Sequence, residues 1–279
     1  MHTVTLAAPP ALGPLLARGA LRSPFRRPSP GAPVPRTRLV LPGVRVDLAR
    51  LAAYERVCGF PTGESALPLT YPHVLGFPLA MRLMSGRDFP LPLLGLVHTS
   101  VEIERSAALP ADGEYELSVW VEELAARRGG TEAVVATALR SRGEVVWSSR
   151  SGYLARAGGG PERRAPAADG ERLPALAEWR LGADVGRRYG AVSGDRNPIH
   201  LHPLTARLFG LPRPIAHGMW TLARCLAAHG APDATVVRAR FRAPVPLPGT
   251  VVYGADGAGR LELRGADGRL CLEGTVRGS

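Results

Sequence analysis

The sequence predicts an α+β protein in which one unit, a helix with an antiparallel sheet, is used twice. Three observations support this. Runs such as GLVHTSVEIER, EYELSVWVEEL and EAVVATALRSRGEVVWSSRSGYLAR alternate, or concentrate β-branched and aromatic residues, as antiparallel strands do. Residues 157–174, AGGGPERRAPAADGERLP, break that pattern with Gly, Pro, Ala and charge, as linkers do. After the break the same order of elements recurs, which marks a duplication.

Taken in order, residues 1–36 carry many Arg and Pro and no acid, and read as an N-terminal arm with a short helix near Leu12–Leu21. RLVLPGVRVD reads as a strand and a turn. DLARLAAYERVCGF spaces Leu48, Leu51, Ala52 and Val57 as a helix does. LPLTYPHVLGFPLAMRLM supplies a central helix, and the strand runs complete a first domain over 37–156. Beyond the linker, the second domain covers 175–279. EWRLGADVGRRYGAVSGD is strand, turn and helix. PRPIAHGMWTLARCLAAHG is the central helix, and VVRARFRAPVPLPGTVVYGADGAGRLELRGADGRLCLEGTVRG is the strand run. Leu204, Leu208 and Phe209 have helical spacing and are expected in the core, with the helix ending at Gly210.

Composition bounds the function. The chain has 279 residues, 45% hydrophobic and 21% charged, which fits a folded globular protein. All 35 basic residues are Arg and the net charge is +11. The arginines are scattered singly or in pairs, without a basic run or aromatic-interleaved stripe, so nucleic-acid binding is not expected. A positive surface instead favours an anionic small molecule or an acidic carrier protein. Cys58, Cys225 and Cys271 are far apart and odd in number, which suggests buried thiols in a reducing compartment. No apolar run reaches the ~18 residues of a membrane span. The N-terminus lacks a basic start and is interrupted by prolines, so no signal peptide is expected and a cytoplasmic location is.

The chemistry concentrates in YGAVSGDRNPIHLHPLTARLFGLPRPIAHGM, residues 189–219. Asp195 and His200 flank Asn197-Pro198, a stiff turn. Asp195 could simply cap that turn, and His200 alone could be structural. Held together, a carboxylate and an imidazole can act as an acid/base pair on one water or one carbon. Gly218 falls at the start of a helix. Tight packing explains a glycine there, and so does a bare amide aimed at an oxyanion. Ser193 lacks a GxSxG elbow and reads as a turn residue or a hydrogen-bond donor behind the site. His200, His202, His217 and Asp195 invite a metal reading, but no HExxH or Cys cluster accompanies them, and none is expected. At the equivalent place the first half has CGFPTGES, Cys58 to Ser65, without the pair. One active site, in the second half, follows.

This segment resembles the hydratase 2 motif of the MaoC-like dehydratases, with SGDxNPIH and AHGM in order, and the resemblance extends over roughly residues 36–277. It implies the hotdog fold twice, a double hotdog with a degenerate N-terminal copy that accommodates the acyl chain. It implies Asp195 and His200 as the catalytic dyad, Gly218 as the oxyanion-hole amide and Asn197 as a residue shaping the site; Ser193 and His217, in the same segment, are further site-shaping candidates. The expected reaction interconverts trans-2-enoyl and (R)-3-hydroxyacyl thioesters of coenzyme A or acyl carrier protein, without metal or cofactor. A hotdog acyl-thioesterase and a non-catalytic acyl-thioester binder are the alternatives. A double hotdog forms its own pseudo-dimer, so monomer and homodimer both stay open.

Overall fold

The computed structural model describes residues 1–26, 31–156 and 172–278. The linker region at 157–174 therefore lies, up to residue 171, outside the described residues. The chain forms two compact units. One holds Met1–Val46, Ser65–Leu67 and the chain from Tyr71 through the sixth strand. The other holds Asp47–Glu64, Pro68–Thr70 and the chain from the seventh strand onward.

The first unit contains β1 (His2–Thr5), α1 (Leu12–Arg22), β2 (Thr37–Arg45), α3 (Tyr71–Met84), β3 (Val97–Arg105), β4 (Glu114–Arg127), β5 (Gly130–Ser141) and β6 (Glu144–Arg156). Its strands follow the order β1-β2-β4-β5-β6-β3. All pairings are antiparallel except β1 with β2, which is parallel. The N-terminal segment thus contributes a strand as well as the expected helix. Four residues with two threonines gave too short a pattern to register as a strand. The strand-and-turn read in RLVLPGVRVD is one strand, and its register shifts between Leu41 and Val44, where Pro42 and Gly43 interrupt the ladder.

Helix α3 is almost wholly buried and packs against β2, β4 and β5. It tolerates Pro78 inside its span. Gly76 lets β5 approach, since a Cβ there would lie 2.9 Å from the Thr137 methyl. Leu79, Leu117, Ile103, Leu139 and Trp147 form the core between helix and sheet.

The second unit contains α2 (Leu48–Cys58), β7 (Ala175–Leu181), α4 (Val185–Ser193), α5 (Pro203–Leu208), α6 (Gly218–His229), β8 (Thr235–Phe241), β9 (Gly249–Ala255), β10 (Arg260–Gly265) and β11 (Leu270–Gly278). The strand order is β8-β11-β10-β9-β7, antiparallel throughout. Helix α6 packs on this sheet at β10, with Leu222, Ala223 and Cys225 fully buried. Each unit therefore has the hotdog arrangement of a helix against an antiparallel sheet.

Helix α2 belongs with this unit although it comes from the first half of the sequence. Asp47 caps it, accepting from the amides of Ala49 and Arg50 at 2.9 and 3.1 Å. It packs on α4 and α6, and the Trp220 indole donates to the Val57 carbonyl at 2.9 Å. The duplication is visible in the backbone here. Helix α2 ends at Cys58 with Gly59 at φ 81°, and α4 ends at Ser193 with Gly194 at φ 82°. Both are left-handed C-caps, where glycine carries no Cβ penalty. The next residue is Phe60 in the first copy and Asp195 in the second.

All three cysteines are buried and free, as the sequence suggested. No helix among the described residues is long and apolar enough to cross a membrane.

Candidate active site

Asp195 emerges from the C-terminus of α4 through the Gly194 turn. Its amide donates to the Ser193 hydroxyl at 3.1 Å. Ser193 is thus a buried residue at the turn that ends the helix, one of the two readings its sequence allowed, and its hydroxyl accepts there. The Asn197 amide donates to Asp195 Oδ1 at 3.1 Å, and the Ile199 amide to Asn197 Oδ1 at 3.4 Å. These two side-chain turns wind residues 195–199 into a 3₁₀ turn, Pro198–His200, that delivers the histidine. Asp195 therefore caps the turn with one carboxylate oxygen, while its side chain stays 31% exposed.

Helix α4 runs against this loop without side chains at two points. A Cβ on Gly190 would lie 2.8 Å from the Asp195 carbonyl oxygen, and one on Gly186 only 2.0 Å from that of His200. The loop is tied down further by Thr205 Oγ1 donating to the Pro198 carbonyl at 2.7 Å and by Arg187 donating to that of Leu201 at 3.3 Å.

His200 Nδ1 lies 2.7 Å from the Ile215 carbonyl oxygen. A carbonyl can only accept, so Nδ1 carries the hydrogen and Nε2 keeps its lone pair. By the same reasoning His217 Nε2, 2.9 Å from the Asp195 carbonyl, carries that ring's hydrogen, and its Nδ1 is a buried acceptor with no partner. The two rings stack with centroids 3.6 Å apart. Burial lowers the His200 pKa, against smaller upward pulls from Asp195 and the Ile215 carbonyl. Burial, reinforced by His200, pushes that of His217 well below its usual value. The lowered values favour the neutral form of both rings, and the stacking opposes protonating both at once, since two imidazolium ions in this position would repel.

Behind the histidines stand two tyrosines that the sequence reading missed. Tyr189 on α4 lies 4.8 Å from His217 between centroids, and Tyr54 on α2 lies 6.1 Å from Tyr189. Tyr54 hydrogen-bonds Thr70 at 2.7 Å. A lone tyrosine in a helix carries no mark of what it will pack against, so no sequence signal would have found either.

Asp195, His200 and His217 each bring one potential ligand atom within 4.8 Å of the others. His202, considered with them from the sequence, instead caps α5, its Nδ1 accepting from the Leu204 amide at 3.2 Å.

Gly218 opens α6, whose N-cap His217 gives no side-chain cap to the first amides. The positive end of the helix is left for another acceptor. The packing explanation also holds, because a Cβ on Gly218 would come within 3.1 Å of the Phe241 ring. Leu204, Leu208 and Phe209, expected in the core, are exposed by 64%, 83% and 38%. Helix α5 is only six residues long, and it buries Ala206 instead.

Three buried histidines with lowered pKa values predict acid lability. Burial pushes His98 on β3 down to about 3, and His200 and His217 shift the same way. Below the ordinary value of 6.5 the unfolded chain takes up protons that the folded chain refuses. Stability present above pH 6.5 is therefore lost as pH falls from there toward the lowered values. Urea midpoints measured from pH 7.5 to 4 should fall steadily, and His98→Gln should flatten that slope. A pH-independent midpoint would contradict the assigned burial.

The fold and the site together define a MaoC-like dehydratase, a hydro-lyase with a dehydratase/hydratase role. The MaoC-like domain model matches residues 177–264, the stretch from β7 to β10 that holds the site. The chain belongs to this family. It is 38% identical over 242 residues to 3-hydroxyacyl-thioester dehydratase X of Mycobacterium tuberculosis, covering 84% of this chain and 86% of that one. It is 32% identical over 195 residues to enoyl-CoA hydratase ChsH3 of the same organism, covering 65% and 64%. The crystal structure of HtdX from M. tuberculosis superposes with a TM-score of 0.77 at 35% identity, covering 87% of this chain and all of that one.

Proposed function

We propose that the protein interconverts trans-2-enoyl thioesters and (R)-3-hydroxyacyl thioesters, with Asp195 and His200 as the acid/base pair. The observation that carries this is the His200 Nδ1–Ile215 hydrogen bond. It leaves Nε2 as a neutral acceptor beside a partly exposed carboxylate.

In hydration the pair holds one water and takes a proton from it as the oxygen bonds to C3. The C2–C3 π electrons move toward the thioester carbonyl, whose oxygen becomes an enolate. The Gly218 amide at the start of α6 donates to that oxygen, supported by the helix dipole. A proton returned to C2 completes the addition, so one water is consumed per thioester. Dehydration reverses each step. His217 acts by position: its Nε2–H holds the Asp195 carbonyl, and its ring backs His200. Asn197 and Ser193 hold the turn. Coenzyme A or acyl carrier protein would carry the substrate, and the names of the M. tuberculosis relatives support the thioester class.

The test is spectroscopic. Purified protein with crotonyl-CoA should remove the enoyl-thioester absorbance and yield (R)-3-hydroxybutyryl-CoA on chiral analysis. Release of free thiol with the enoyl group intact would identify a thioesterase instead.

A further inference from the structure

We infer that the exposed face of α5 is a docking surface for an acidic acyl carrier protein that presents the thioester to the neighbouring dyad. The inference rests on the thioester reading above and names the carrier. Leu204 and Leu208 are one helical turn apart and so share a face, and Phe209 follows directly. All three are exposed. Three large apolar side chains exposed within six residues mark an interaction site better than a single one does. The segment begins three residues after His200, and Thr205 of α5 donates to the Pro198 carbonyl in the turn that carries that histidine, so whatever covers α5 sits close to the dyad.

Charge identifies the occupant. Between Val185 and His217 the chain has five arginines and one acid, Asp195. Of these, Arg196, Arg207 and Arg213 are exposed and lie before, within and after the apolar segment in the chain. A second copy of this chain would bring its own +11 charge to a basic face. Free coenzyme A could place phosphates on the arginines but would leave the leucines uncovered. A small acidic helical protein with an apolar helix face, bearing its acyl chain on a phosphopantetheine arm, matches both features. Such complementarity acts mainly on encounter and specificity.

The test compares one enoyl group on two carriers. Leu208→Asp combined with Arg207→Glu should lower kcat/KM for the enoyl-acyl carrier protein about tenfold or more, and leave crotonyl-CoA turnover within about twofold. Calorimetry with a saturated acyl carrier protein, which cannot be hydrated, should show salt-sensitive binding to the wild type and none to the variant. That binding decides docking even if no thioester is turned over, in which case the reaction assignment alone fails. Equal losses on both carriers, no loss on either, or no carrier binding by the wild type would overturn the inference. So would a change in size-exclusion mass in the variant, which would give this face to a second copy of the chain.

Discussion

Asp195→Asn is expected to lower kcat for enoyl-CoA hydration by about 10²- to 10⁴-fold, the range a positioned acid/base group supplies. KM should change little, because the amide is isosteric and its oxygen can still accept from the Asn197 amide, as Asp195 Oδ1 does at 3.1 Å. The turn therefore survives while the charge is lost. His200→Ala should cost a similar factor by removing the Nε2 lone pair. It also frees the Ile215 carbonyl, so some stability is lost with it. The double variant should be scarcely worse than either single one, because groups acting on one proton do not contribute additively. Stopped-flow or steady-state absorbance assays measure all three. Wild-type rates in either single variant would remove the dyad from the mechanism.

Gly186→Ala is expected to damage the site without touching a reacting group. The new Cβ would fall 2.0 Å from the His200 carbonyl oxygen. The clash is between a helix and a loop backbone, neither of which has a side chain to swing away. Either the first turn of α4 shifts or His200 does. Overpacking of this kind costs about 1–3 kcal/mol, and sometimes more. A displacement near 1 Å at a catalytic group costs about 10²-fold in rate. Both a lower melting temperature and a kcat loss are expected. Gly13→Ala on α1 is the control, since a Cβ there meets nothing within 4 Å, and it should leave rate and stability intact. A fully active Gly186→Ala protein would show that the loop is far softer than its contacts imply.

The site was legible in the sequence to the extent that its bonds are local. Asp195 to Asn197 and Asn197 to Ile199 each span two residues, and Pro198 stiffens the same turn. Such short-range chemistry is written in residue types. The start of α6 at Gly218 could be read likewise, from the glycine and the periodic apolar run behind it. Helix α5 was misread for an equally physical reason. Helical spacing of Leu204 and Leu208 shows that they share a face, but not which way the face turns. Its neighbours Ala206 and Pro203 are too small to signal that the core lies on the other side.

The sequence by itself determined the repeated helix-and-sheet pattern, the asymmetry between SGDRNPIH and CGFPTGES, and the residues proposed here as an acid/base pair, because each depends on neighbours within a turn or a strand. Only the tertiary structure decided the protonation pattern. The bonds from His200 to Ile215 and from His217 to Asp195 cross 15 and 22 residues, and a carbonyl's position at that distance is set by packing. It also decided that α2, from the first half of the chain, stands behind α4 with Tyr54 against Tyr189. Contacts across 135 residues come from the shape of a buried surface, and no local pattern encodes them.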